Sequence, residues 1–195
     1  MSLDCILLGL LRHPASGSDL KAWFRRAFHH FWAAEPRQIY RTLARLEENE
    51  LASGERRLSS KGPPQRLYSI TPSGRASLRA WLRDGPAMSD TRLSQLAQIL
   101  FLGELPADER EGFLCALRGE YEARLEDLRG VAAGISDNAD PQAAPNEEEF
   151  FRRLTIHAGM HKYEFWMQWG DRALAMHSSW VKEHDAGGSG DSLSE

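Results

Sequence analysis

The 195-residue chain is 42% hydrophobic and 27% charged, a balance that suits a globular protein with a real core and excludes a disordered or fibrous one. No apolar run approaches the ~20 residues that cross a bilayer, and Met1-Ser2-Leu3-Asp4 puts no basic stretch ahead of an apolar one, so neither a membrane span nor export is expected. The two cysteines, Cys5 and Cys115, lack motif spacing, which predicts two buried, reduced thiols in a cytoplasmic protein.

The net charge of −4 hides an asymmetry. Residues 1–86 hold 14 Lys/Arg against 8 Asp/Glu, a net of +6, whereas residues 87–195 hold 10 against 20, a net of −10. A basic amino-terminal half favours a polyanion on that side, and the acidic half would be repelled from it.

Leu3 to Leu11 reads as a short buried helix, stopped near Arg12-His13-Pro14 by the proline. Ser16-Gly17-Ser18-Asp19 fits a capping-box start, and the helix after it keeps Leu20, Phe24, Phe28 and Phe31 toward one side. Glu35 to Asn49 then forms a third helix with Pro36 in its first turn. Its apolar stripe is Ile39, Leu43 and Leu46, while Arg37, Arg41 and Arg45 recur every four residues on another side, with Gln38 and Tyr40 beside them. Guanidinium and amide groups at that spacing can meet base edges and phosphates in a major groove. Taken alone, a surface helix with solvated arginines is the more ordinary reading.

Leu51 to Leu58 can form a strand, Ser59 to Pro64 is a turn cluster, and Gln65 to Ile70 alternates polar and apolar as a returning strand does. The result is a hairpin with a basic tip, which carries Lys61 and is followed by Arg66. Thr71-Pro72 supplies a cap and first turn for a helix with Leu78, Trp81 and Leu82, ending at Asp84-Gly85-Pro86. Three helices, a ribbon and another helix spell a winged helix-turn-helix, whose ribbon would lie along the DNA backbone.

The second half is helical. A helix starts near Thr91 and closes near Gly103; a longer one opens at Pro106 with Phe113, Leu117, Tyr121, Leu125 and Leu128 on one side. Gly130 to Pro145 reads as a loop, and Asn146 caps a last, strongly aromatic helix through Trp180. From Tyr163 onward its apolar residues point nearly all round, so a second copy of the chain is expected to cover part of it. The fold class is therefore mainly α. Residues 1–85 are expected to be a winged helix-turn-helix DNA-binding domain, 86–184 a helical dimerisation domain and 185–195 a flexible tail.

At this point the chain resembles the PadR family of bacterial transcription regulators. The matching pieces are Ile6 to Leu11, Phe31-Trp32, Gln38 to Leu43 with Leu46-Glu47, Gly62-Pro63-Pro64 with Arg66 and Tyr68, and Thr71 to Arg75. Arg153-Leu154-Thr155 and Trp166 to Trp169 with Ala173-Leu174 resemble the branch that includes the Vibrio-type virulence gene activator. The resemblance implies a near-palindromic double-stranded DNA operator and a carboxy-terminal dimerisation region. By position, Arg37, Gln38, Tyr40 and Arg41 match its recognition helix, and Lys61 and Arg66 its wing. Arg45 would join Lys61 and Arg66 in holding phosphates. Two departures stand out. Many members have His-Gly-Tyr where Ser16-Gly17-Ser18 stands here, and many end the recognition helix on a glycine where Glu50 stands, so Asn49 is expected to take the left-handed turn.

His157 and His161 share a helix face at i, i+4, with Glu164 in reach, but two ligands do not fix a metal and no metal site is expected. Trp166 and Trp169, with His157 and His161, are a candidate effector pocket for an aromatic or phenolic ligand, as in family members that sense phenolics or drugs; dimer and domain packing is the commoner use of such aromatic stripes. No glycine-rich phosphate loop, nucleophile elbow or paired catalytic carboxylates occur, so neither an enzyme nor a cofactor is expected.

Overall fold

The computed structural model describes residues 2–26, 28–32, 34–57, 65–87, 93–134 and 140–187. They fall into two compact units, Met1–Asp90 and Thr91–Glu195.

The first unit contains α1 (Ser2–Leu10), β1 (Ala15–Ser16), α2 (Gly17–Arg26), α3 (Pro36–Glu48), β2 (Ala52–Arg57), β3 (Gln65–Ile70) and α4 (Pro72–Arg83). α1 packs on α3 and α4, and α2 on α3. Their shared core is aliphatic: Leu7, Leu8, Leu11, Leu20 and Leu43 are fully buried, with Phe24, Ile39 and Leu46 beside them. The capping box at the start of α2 forms, since Ser16 Oγ accepts from the Asp19 N–H (3.2 Å) and Asp19 Oδ2 from the Ser16 N–H (2.9 Å). The α-helix stops at Arg26, earlier than its apolar spacing suggests. Phe28 sits in a separate 3-10 turn, stacked on Phe24 (centroids 5.1 Å), and Phe31 stays exposed.

The sheet has three antiparallel strands in the order β1-β3-β2, one more than the expected ribbon. Ala52 pairs with Ile70 and Arg57 with Gln65. The returning strand forms where expected, but its burial does not alternate: Gln65 and Arg66 are exposed, Leu67 to Ser69 half-buried and Ile70 buried, so the strand sinks toward the core along its length. Its turn, Ser59 to Pro64, lies outside the described residues and so does Lys61.

The end of α3 corrects the assignment of the left-handed turn. Asn49 has φ −89°, whereas Glu50 takes φ +57°. The Leu51 N–H reaches back to the Leu46 carbonyl (2.8 Å) and the Glu50 N–H to that of Glu47 (3.0 Å), a Schellman ending with a glutamate in the glycine position. The Thr71 hydroxyl donates to the Glu50 carbonyl (2.7 Å) and accepts from the Gly74 N–H (3.0 Å), so one side chain both locks this turn and caps α4. Gly74 faces the Leu51 carbonyl so closely that a Cβ there would collide with backbone.

The second unit contains α5 (Ser94–Leu100), α6 (Ala107–Ala133) and α7 (Glu147–Gly187). The expected start at Thr91 lies outside the described residues. α6 runs past Gly130 to Ala133, because an interior glycine costs only ~1 kcal/mol against the packing of Val131 and Ala132, both buried. The rest of the expected loop contains a 3-10 turn at Pro141–Ala143, and Asn146 caps α7 as expected, its Oδ1 accepting from the Glu149 N–H (2.9 Å). α6 and α7 are antiparallel: Arg118 meets Asp171, Tyr121 meets Tyr163 and Trp166, and Arg129 meets Glu164. Their seam buries Leu114, Tyr121, Leu125 and Leu128 against Ile156, Tyr163 and Ala173. Cys115, next to Leu114 but turned off the seam, is exposed and Cys5 is half-buried, so the two thiols are not the buried pair expected. Gly159 and Gly170 let the helices approach, since a Cβ would lie 2.8 Å from a Leu128 methyl and 2.9 Å from Arg118 Cβ. No described helix is long and apolar enough to cross a membrane.

Candidate nucleic-acid interface

α3 divides its side chains between two faces. Ile39, Thr42, Leu43 and Leu46 point into the core, and Arg37, Gln38, Tyr40, Arg41 and Arg45 are exposed. The five polar residues are not equivalent. Among the described residues, Arg37 and Arg41 make no ion pair and stand one turn apart with their guanidinium groups free. Arg45, expected to hold phosphate, is ion-paired with Asp4 of α1. The Gln38 carbonyl oxygen accepts from the Glu35 N–H (3.1 Å), so the amide already serves the start of its own helix.

Arg66 lies on β3, and its guanidinium is paired with Glu47 near the end of α3. The same carboxylate accepts from the Gly54 N–H (3.2 Å), tying both hairpin strands to the helix. A Cβ at Gly54 would lie 2.5 Å from Arg66 Nε and 2.7 Å from Glu47 Oε1, so a side chain there would push both flexible groups out of their present positions. The hydrogen bond and charge of Glu47 push the Arg66 pKa further up. Arg66 remains half exposed, and its guanidinium also stands over the Tyr68 ring at 5.8 Å. An exposed pair of this kind is screened by solvent, so a competing anion can displace it.

Tyr40 and Arg66 meet in a notch of about 170 Å³ lined by Ser16, Gly17, Ser18, Gln65 and Tyr68. Gly17 makes it possible, because any Cβ there would run into the Tyr40 ring. A second cleft of about 490 Å³ lies beside the first turn of α3. Phe24, Trp32 and Ile39 give it an apolar floor, and Lys21, Arg25 and Gln38 a polar rim. Of these residues the sequence drew attention only to Ser18, as a departure from the family's His-Gly-Tyr, and not to Gln65, Lys21 or Arg25 as site residues. The i, i+4 spacing of Lys21 and Arg25 on α2 was the available signal.

In the second unit the four candidate effector residues divide. Trp166 is half-buried and stacks on Tyr121 (centroids 5.4 Å, planes 9° apart), with Trp169 edge-on to it at 5.7 Å. Tyr121 in turn accepts from Gln95 (2.8 Å). His157 and His161 are exposed. Nine residues separate His157 from Trp166, about half a revolution of the helix, so these two face opposite ways.

Residues 6–80 match the family model described as "Transcriptional regulator PadR-like family", and residues 91–178 match "Virulence activator alpha C-term". The "Transcriptional regulator Rv3488" of Mycobacterium tuberculosis is 35% identical over 74 residues, which are 37% of this chain and 68% of that protein. This chain belongs to the PadR family of transcriptional regulators. The "Probable transcriptional regulator Rv1176c" of the same organism is 29% identical over 178 residues, 85% of this chain and 92% of that one. Bacillus subtilis PadR shares the fold. Its crystal structure with operator DNA has TM-score 0.78 and 23% identity, covering 91% of this chain and 99% of that chain; its structure with p-coumaric acid has TM-score 0.75 at the same identity and coverage. PadR membership makes the three-stranded unit a winged helix and the protein a regulator, not an enzyme.

Proposed function

We propose that the protein is a homodimeric, sequence-specific DNA-binding regulator acting in the cytoplasm. The observation that carries this reading is the pair Arg37 and Arg41: exposed, unpaired among the described residues, and one turn apart on α3 beside the Tyr40–Arg66 notch. α3 enters the major groove of double-stranded DNA, where Arg37 or Arg41 and Gln38 read base edges. Tyr40, Arg45, Arg66 and Lys61 hold phosphates. Two copies place their recognition helices on half-sites of a near-palindromic operator, ~34 Å apart.

The dimer is supported by the surface of α7. Phe165 (59% exposed), Met176 (62%) and Trp180 (49%) lie uncovered on a helix that at 41 residues is about 60 Å long. Residues 1–85 form the DNA-binding domain and 86–184 the dimerisation domain. Selection of bound sequences from random DNA by the purified protein tests the reading, with a palindromic consensus expected. An Arg41→Ala change is expected to weaken that consensus more than random DNA, and Lys61→Ala to weaken both alike. Equal losses for the two variants would refute the division of labour.

A second reading, favoured by the Trp166–Tyr121 stack and the Bacillus subtilis structure with p-coumaric acid, adds an aromatic effector bound in the helical half. Phenolic acids would then quench Trp166 or Trp169 fluorescence and shift DNA affinity.

A further inference from the structure

His157 and His161, one turn apart on the exposed side of α7, turn their Nε2 atoms toward each other at 3.1 Å. The ring centroids are further apart, 4.3 Å, with the planes at 84°, so the two Nε2 atoms are the near corners of the rings. His161 Nδ1 lies 3.0 Å from Glu164 Oε2, and Glu164 Oε1 lies 3.4 Å from Arg129 on α6. Glu164 is thus fixed from both sides, and its carboxylate makes Nδ1 the protonated nitrogen of His161. That leaves the His161 Nε2 lone pair directed at His157.

Two neutral imidazoles in this arrangement share one proton, and a metal ion can take its place. Imidazole nitrogens bind zinc-like ions at about 2.0–2.1 Å, so two of them on one ion stand about 2.9 Å apart at 90° and about 3.3 Å apart at the tetrahedral angle. The observed 3.1 Å falls between these. Carboxylate to histidine Nδ1–H to metal is the orienting arrangement that metal-ligating histidines ordinarily have. We propose that His157 and His161 form a two-point surface site for a borderline divalent transition-metal ion of the zinc, nickel and copper group. Glu164 is its positioning residue, and the remaining coordination positions are open to water. On binding, the His157 proton moves from Nε2 to Nδ1, so no proton need leave the pair. Imidazole donors select copper over nickel and zinc, and do not suit magnesium or calcium, which take oxygen.

The test uses the untagged full chain, stripped of metal and titrated calorimetrically with Zn²⁺, Ni²⁺ and Mg²⁺, with electron paramagnetic resonance of the Cu²⁺ form. One ion per chain is expected for Zn²⁺ and Ni²⁺, none for Mg²⁺, and a Cu²⁺ spectrum with two nitrogen ligands. His157→Gln and His161→Gln should each weaken binding about tenfold or more, since each removes one arm of the chelate. His184→Gln should leave it unchanged. Glu164→Gln should weaken it by about ten- to a hundredfold with the thermal melt of the apo chain unaltered. Absence of Zn²⁺ and Ni²⁺ binding, or binding indifferent to His157→Gln, overturns the site. Affinity indifferent to Glu164→Gln overturns the role of that carboxylate.

Discussion

The Gln38 side-chain oxygen and the Glu35 backbone N–H are 3.1 Å apart, so the residue we propose as a base reader also closes the first turn of its own helix. A bidentate contact to adenine asks the amide to accept and donate at once. The oxygen has a second lone pair, and the NH₂ group is unengaged among the described residues, so both tasks can be met together. In the proposed complex, recognition and helix start would thereby be coupled.

Gln38→Glu separates the two. The glutamate keeps the oxygen that caps the turn but loses the donor and adds negative charge against the DNA. Operator affinity is expected to fall by at least about tenfold, the scale of a lost bidentate contact, with the melting temperature within a degree of wild type. Gln38→Ala should lose both, with a lower melt. Anisotropy titrations and thermal scans on the same preparations check this.

Glu47→Gln releases Arg66 from its carboxylate. With the competing carboxylate gone, tighter binding to operator and random DNA alike is expected at low salt, whereas Arg66→Gln should weaken both and make the log K against log salt slope shallower by about one. The measurement is a salt series on operator and random duplexes; an unchanged slope would mean that Arg66 does not reach phosphate.

Glu50 holds φ +57°, a conformation that costs an L-residue roughly 1–2 kcal/mol. Glu50→Gly is therefore expected to stabilise the amino-terminal unit by about 1 kcal/mol, provided the flexibility it adds to the unfolded chain does not offset the gain. Glu50→Val should destabilise it. Calorimetric or circular-dichroism melts of the full chain decide the sign.

Gly74→Ala tests the joint between α3 and α4. The added methyl meets the Leu51 carbonyl, which is backbone and cannot rotate aside. A loss of about 1–3 kcal/mol is expected, against a gain of about 0.5–1 kcal/mol for Gly9→Ala inside α1, where the Cβ position is open. Denaturant midpoints of the two variants give the comparison.

Trp180→Glu and Phe165→Glu place charge on the uncovered side of α7. Sedimentation velocity is expected to show a shift from dimer toward monomer, together with a loss of operator binding far larger than the loss on random DNA.

Local chemistry was what the sequence disclosed best. Ser16 with Asp19, Thr71-Pro72 and Asn146 each announce a helix start through hydrogen bonds that span three residues, and each forms. Helix ends were harder. Asn49 and Glu50 differ by one position, and the choice between them depends on which carbonyl the Leu51 N–H reaches. β1 is two residues long, too short for periodicity to register. The partners of the cations were invisible for a different reason: Asp4 is 41 residues from Arg45, and Glu47 is 19 from Arg66, separations that only the folded chain closes.

The carboxylate of Glu47 holds Gly54 and Arg66 before any nucleic acid arrives. In the proposed complex the hairpin strands would meet a duplex already set in position, with little conformational freedom left to lose at the moment of contact. Encounter should accordingly be governed by long-range attraction between charges, so that added salt slows association more than it hastens release.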